Sequence, residues 1–122
     1  MLRGACHCGA VRFEVSRAPD QVTSCNCTLC TKRGALVAYY QPEEFALISD
    51  EGQSTYLWND RIVNHQFCSV CGCFTFSASP VWDAAREAID FSKRKLAVNA
   101  RLLEDFDLSA VPVRHFDGRN LI

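Results

Sequence analysis

Eight cysteines in 122 residues fall in three tight groups: Cys6 and Cys8; Cys25, Cys27 and Cys30; Cys68, Cys71 and Cys73. Four disulfides would allow about 105 pairings, but disulfide partners usually lie far apart in sequence, whereas these cysteines are one or two residues apart. Metal ligands have that spacing. A Cys-x-x-Cys turn brings two thiolates to one tetrahedral ion, and a following Gly relieves the left-handed backbone such a turn needs. Cys68-Ser69-Val70-Cys71 is followed by Gly72, and Cys6-His7-Cys8 by Gly9. The latter is expected as an extended segment with both thiolates on one side.

Zinc suits these ligands, because it takes thiolate sulfur at about 2.3 Å, is redox-inert and accepts tetrahedral geometry without strain. The spacings match neither ferredoxin pattern, which argues against an iron–sulfur cluster. Met1-Leu2-Arg3 runs into the first cysteines with no apolar leader. The expected compartment is therefore the cytoplasm, where thiols stay reduced. No stretch is long and apolar enough to suggest a membrane span. The formal net charge of -1 gives no reason to expect nucleic acid, and Lys32-Arg33 and Lys93-Arg94-Lys95 read as solvated basic clusters.

Hydrophobic residues make up 48% and charged residues 22%, enough for one folded domain over residues 1–122. Val11, Phe13 and Val15 alternate with Arg12 and Glu14, which predicts a strand. Strands are also expected over 21–24, 35–40, 61–67, 73–78 and 95–100. Two more, over 45–49 and 54–58, are expected to form a hairpin around Asp50-Glu51-Gly52. Turns are expected at Ala18-Pro19-Asp20, at 42–45 and at Asn59-Asp60. Trp82, Ala85 and Ile89 lie at helical spacing and predict one short helix in the C-terminal third. The reading is a mainly β domain with metal-binding turns at strand ends.

Cys6 and Cys8 together with Cys68 and Cys71 complete a tetrahedral set. An ion held there has full coordination and ties the start of the chain to a point some sixty residues on, a structural role. Cys25, Cys27 and Cys30 offer three thiolates, and three protein ligands with one open position is the pattern of a catalytic zinc. Cys73, His7, His65 and His115 are the candidates for a fourth ligand there. Cys73 lies two residues beyond Cys71 and is expected on the side of the four-cysteine site.

Together these residues resemble the glutathione-dependent formaldehyde-activating enzyme family, also called the centromere-protein-V-like family. The similarity runs through Gly4-x-Cys6-x-Cys8-Gly9-Ala10-Val11-x-Phe13, Cys25-x-Cys27-x-x-Cys30 and Phe67-Cys68-x-x-Cys71-Gly72. It extends to a tail with Val98-Asn99-x-Arg101-Leu102 and Phe116-Asp117-Gly118-Arg119-Asn120. The resemblance implies an Mss4-like β-tent fold and two zinc ions per chain. It assigns a structural ion to Cys6, Cys8, Cys68 and Cys71, and a catalytic ion to Cys25, Cys27 and Cys30. It further implies a carbon–sulfur lyase acting on a small thiol–aldehyde adduct, with S-(hydroxymethyl)glutathione as the type substrate. Lys32, Arg33 and Arg12 are candidates to anchor the carboxylates of such a substrate. The alternative reading is a zinc-stabilised binding module without catalysis. A methionine sulfoxide reductase fits less well, because only Cys73 lies outside the zinc set and its neighbours Gly72 and Phe74 carry no charge to activate it.

Overall fold

The computed structural model describes residues 1–58 and 61–121. The chain is mainly β. In order it forms β1 (Leu2–Ala5), β2 (Val11–Val15), β3 (Val22–Cys25), the helix α1 (Thr28–Arg33), β4 (Val37–Tyr40), β5 (Phe45–Asp50) and β6 (Gln53–Leu57). There follow β7 (Asn64–Cys68), β8 (Phe74–Asp83), β9 (Ala88–Asn99), β10 (Val113–Phe116) and the single-turn helix α2 (Gly118–Leu121). Two sheets result, a three-stranded one in the order β1-β2-β5 and a seven-stranded one in the order β10-β3-β4-β9-β8-β7-β6. Among the described residues no helix is long and apolar enough to cross a membrane.

The core lies between the sheets. From the smaller sheet, the alternation of β2 sends Phe13 and Val15 inward, each 1% exposed, while Arg12 points to solvent. Burying a side chain of this kind contributes about 1.5–3 kcal/mol. The larger sheet answers with Val22, Ala38, Tyr40, Phe76, Leu96 and Val98. Phe45 links the two layers, its ring 5.5 Å from that of Phe13 and 4.8 Å from that of Phe76.

Period-two alternation also decides what the opposite face of the larger sheet carries. Ala38 pairs with Val98 and Phe76 with Val98 on the core side, so Tyr39, Ala97 and Ser77, which pair with one another one step along, share the outer side. His65 pairs with Ser77 and joins them. This outer face is where the cavity described below is found.

Most expected strands form with bounds shifted by a residue or two, and the strand expected over 95–100 is the end of the much longer β9. Two expectations are overturned. The segment holding Trp82, Ala85 and Ile89 is no helix but the tip of the β8–β9 hairpin, with Trp82 opposite Ile89. Asp83 makes the turn: its Oδ1 accepts from the N–H groups of Ala85 and Arg86 at 3.0 and 3.3 Å, the Asx geometry that competes with helix. The short helix of the C-terminal third lies at Gly118–Leu121 instead. β5 and β6 form no hairpin either. β5 pairs with β2 in the smaller sheet and β6 with β7 in the larger, so Asp50-Glu51-Gly52 carries the chain from one sheet to the other, with Gly52 at φ 82°. The turn expected at Asn59-Asp60 lies outside the described residues.

Candidate metal centre and its cavity

The first thiol cluster is built from two turns that face each other. Cys6-His7-Cys8 is a turn rather than the extended segment expected, closed by the Gly9 N–H donating to the Cys6 carbonyl at 3.1 Å. The turn from β7 to β8 closes likewise, the Gly72 N–H donating to the Cys68 carbonyl at 2.8 Å. Gly9 and Gly72 both have φ of 82°, the left-handed backbone their places after the cysteines called for. The Sγ atoms of Cys6, Cys8, Cys68 and Cys71 all lie within 4.8 Å of one another.

Their spacing tests the metal reading. Sulfurs about 2.3 Å from a tetrahedral zinc sit roughly 3.8 Å apart. Cys6 and Cys8 are 3.7 Å apart, and Cys8 and Cys68 are 3.6 Å apart. The cluster can therefore hold a thiolate-binding ion and is consistent with zinc.

Thiols this close cannot all ionise unaided. Backbone N–H groups of Cys73 and Cys8 draw Cys71 down to about 5. The Ala10 N–H favours the Cys8 thiolate, yet burial and the neighbouring thiols push Cys8 up to about 12. A dication that binds all four replaces that mutual repulsion with attraction, so ion uptake releases protons. Cys73 packs against this cluster, and its thiol meets the His7 backbone N–H. It belongs to the side expected for it.

The second cluster holds Cys25, Cys27 and Cys30, again with all Sγ atoms within 4.8 Å. Cys25 ends β3, and Cys27 caps α1, its Sγ accepting from the Cys30 N–H at 3.3 Å. The Cys27 N–H reaches Cys25 Sγ at 3.5 Å. Gly34 ends the helix in the left-handed conformation, φ 64°, with its N–H donating to the Cys30 carbonyl at 3.0 Å. Burial works to raise the Cys27 thiol, but the Cys30 N–H and the adjacent thiols bring it below its ordinary value. Cys30 is pushed up to about 12 by burial and by Cys27, with Arg33 pulling the other way.

Among the described residues no fourth donor joins these three. Cys73 is at the other cluster, His7 in the turn between Cys6 and Cys8, and His115 exposed on β10. His65 comes nearest in place, since it lines the same cavity, but its Nδ1 is engaged elsewhere: 2.8 Å from Ser77 Oγ and 3.2 Å from Arg33 Nη1. Because the guanidinium can only donate, Nδ1 accepts and the ring proton sits on Nε2.

The cavity has a volume of about 350 Å³ and opens over the outer face of the larger sheet. Cys25, Cys27 and Cys30 form one side. Leu29, Val37, Tyr39, Trp58, Val63 and Phe116 make much of the wall apolar, while Arg33, His65, Ser77, Ser79 and Lys95 supply its polar groups. Arg33, one of the three basic candidates, borders it; Arg12 is on the smaller sheet and Lys32 lines a neighbouring cavity.

A clamp that spacing did not reveal holds the three-thiol loop. β10 runs parallel to β3, with Phe116 opposite Cys25, and delivers the tail against Asn26. Asn26 Nδ2 donates to Asp117 Oδ1 at 3.0 Å, the Arg119 N–H donates to Asn26 Oδ1 at 2.9 Å, and Arg119 Nε donates to the Asn26 carbonyl at 3.0 Å. A Cβ at Gly118 would stand 2.5 Å from Cys25 Sγ, so any side chain there would have to displace that sulfur. The Phe116–Asn120 run in the tail was the available signal, though not its contact with Asn26.

A sequence profile described as glutathione-dependent formaldehyde-activating enzyme matches residues 1–93, a span that contains all eight cysteines and stops before the clamping tail. A Halomonas elongata protein that bears, as an assignment, the name glutathione-dependent formaldehyde-activating enzyme is 29% identical over 92 residues, covering 67% of this chain and 59% of the relative. The match thus spans about three fifths of that relative's length. The crystal structure of a Rhodobacter sphaeroides protein, solved as a structural genomics target, superposes with a TM-score of 0.69 at 27% identity, covering 91% of this chain and 98% of that one. With the family profile matching more than half of its residues, the chain belongs to the glutathione-dependent formaldehyde-activating enzyme family.

Proposed function

We propose that this protein is a zinc-dependent carbon–sulfur lyase that makes or breaks small thiol–aldehyde adducts of the S-(hydroxymethyl)glutathione type. Its 122 residues act as one Mss4-like β-tent domain in a reducing, cytoplasmic setting. In this reading Cys6, Cys8, Cys68 and Cys71 hold a structural zinc, and Cys25, Cys27 and Cys30 hold a second one that leaves a place for substrate. The observation that carries it is the contrast between the clusters: four thiols close the first, whereas three thiols without a fourth described donor border a cavity at the second.

Zinc at the second cluster would lower the pKa of a substrate thiol, a role better suited to three thiolate ligands than strong polarisation of a carbonyl. The chain's own groups do the rest. In breakdown of the adduct, the carbon–sulfur bond breaks with its electron pair going to sulfur, and the hydroxyl proton passes to solvent at the open side of the cavity as the carbonyl forms. His65, neutral and protonated at Nε2, offers a hydrogen bond to the adduct oxygen. Arg33, whose Nη2 lies 3.8 Å from Cys30 Sγ, offsets the negative charge that three thiolates and an arriving fourth concentrate there. Tyr39, Trp58 and Phe116 limit water at the reacting atoms.

The test is NMR exchange between glutathione and formaldehyde on the zinc-loaded protein. A rate above the spontaneous one that disappears in Cys27→Ser is the expected result. Zinc binding at both clusters with no acceleration, for glutathione or other small thiols, would overturn the lyase and leave a zinc-stabilised binding module.

A further inference from the structure

Among the described residues Arg33 pairs with no carboxylate. Its guanidinium carbon lies 3.6 Å from the centre of the Phe74 ring, and its Nη1 and Nη2 reach His65 Nδ1 and Cys30 Sγ at 3.2 and 3.8 Å. Nε is buried and has no hydrogen-bond partner among the described residues, and Arg33 makes no ion pair among them. Nε is enclosed, but Nη1 and Nη2 each carry two N–H groups and direct one apiece to His65 and Cys30, which leaves a second N–H on each to donate to a carboxylate.

The surroundings narrow the ligand. Arg33 borders both the thiol-lined cavity and an adjoining one of about 470 Å³, and among the described residues neither is lined by an Asp or a Glu. Lys95 and Lys32 are the other charged residues described on these walls, so among the described residues every formal charge there other than that of the thiolates is positive. An ammonium group entering either space would lose hydration without gaining a carboxylate partner. A carboxylate would meet Arg33 close to Cys30, and an aliphatic segment between carboxylate and sulfur would lie against Leu29, Phe74 and Trp58.

We propose that Arg33 is the anion anchor of this site and that the substrate is a small thiol acid, whose one carboxylate binds Arg33 while its sulfur reaches the Cys25, Cys27 and Cys30 cluster. The thiol part of this inference rests on the lyase reading above; the carboxylate part stands on Arg33 alone.

Titration calorimetry on the zinc-loaded protein with three probes of similar size separates the possibilities: 3-mercaptopropionate, 2-mercaptoethanol and cysteamine. The carboxylate should make 3-mercaptopropionate bind at least about tenfold more tightly than either of the others. That preference should vanish in Arg33→Met, which keeps the aliphatic stem, and persist in Lys95→Met. Equal binding of the three probes, a preference that survives Arg33→Met, or one lost in Lys95→Met instead would overturn the proposal. Wild-type protein gives a second measurement that needs no variant and no thiol. Butyrate, but not butanol, should slow modification of Arg33 by phenylglyoxal, read by mass spectrometry of the peptide containing it. Equal labelling with both would refute the anchor. Protection by butyrate in a protein that turns over no thiol–aldehyde adduct would uphold the anchor while removing the lyase.

Discussion

His65 sits half-buried on β7, facing Ser77 Oγ and the Arg33 guanidinium. Burial, and then the charge of Arg33, lower its pKa from 6.5 to about 4. Between those values an unfolded chain takes up a proton that the folded chain refuses. His65 therefore makes stability rise with pH through that window, and its contribution is complete above about 6.5. The prediction is a flat imidazole ¹⁵N signal from pH 8 down to about 5, with titration moved toward 6.5 in Arg33→Met; a wild-type midpoint near 6.5 would contradict it. Gly118 supports a second prediction. Placing a Cβ 2.5 Å from Cys25 Sγ must move that sulfur, and disturbing the support of a metal ligand typically costs about 10–100-fold in metal affinity. Gly118→Ala should thus weaken zinc at the three-thiol cluster by at least about tenfold and leave the four-thiol cluster unchanged. Competition with a chelator resolves the two affinities, and equal weakening of both would count against the clamp.

At the scale of elements, the two clusters should differ in what their loss does. The four-thiol cluster joins the β1–β2 turn to the β7–β8 turn, and Cys8 and Cys68 are 60 residues apart. Closing a loop of that length removes roughly 4 kcal/mol of unfolded-chain entropy. Cys68→Ser should accordingly unfold the chain or lower its stability by several kcal/mol, on the order of that figure. Cys27→Ser should lose one zinc ion and keep the strand signal in circular dichroism. The reverse ranking, seen in thermal melts, would exchange the roles of the clusters.

How much of this was legible follows from which interactions are local. The alternation of Val11, Phe13 and Val15 marked β2 because one face of that strand is buried. The cysteine spacings marked both clusters because each turn brings its own pair together. Partner choice was not local: β5 and β6 adjoin in sequence yet join different sheets. Trp82, Ala85 and Ile89 imitate a helical stripe because a four-residue turn, 84–87, places Trp82 and Ile89 opposite each other, and Trp82 remains 60% exposed with no core to face. The cavity was the least legible part. Its members Tyr39, His65, Ser77 and Lys95 come from four strands and meet only through sheet order.

The whole molecule divides its work between the faces of one sheet. The seven-stranded sheet packs Ala38, Tyr40, Phe76, Leu96 and Val98 against the smaller sheet and presents Tyr39, Ser77, Lys95 and Ala97 to the cavity. The rigid core thereby sets the floor of the site, while the cysteine loop and the tail that clamps it close one side. Side chains on packed strands hold position better than side chains on free loops. The family profile ends at residue 93, before the end of β9 and the clamping tail, so this chain completes the site with a segment outside that match.

The central claim is that one cluster is closed and the other has room for a substrate sulfur. Zinc-edge X-ray absorption on the protein loaded with zinc to saturation, before and after addition of a small thiol, tests it most directly. The account predicts two ions per chain with an average of three and a half sulfur ligands each, rising to four when thiol is added. An average of four sulfurs before any thiol is present, or a single ion bound with Cys25, Cys27 and Cys30 open to alkylation, would contradict it.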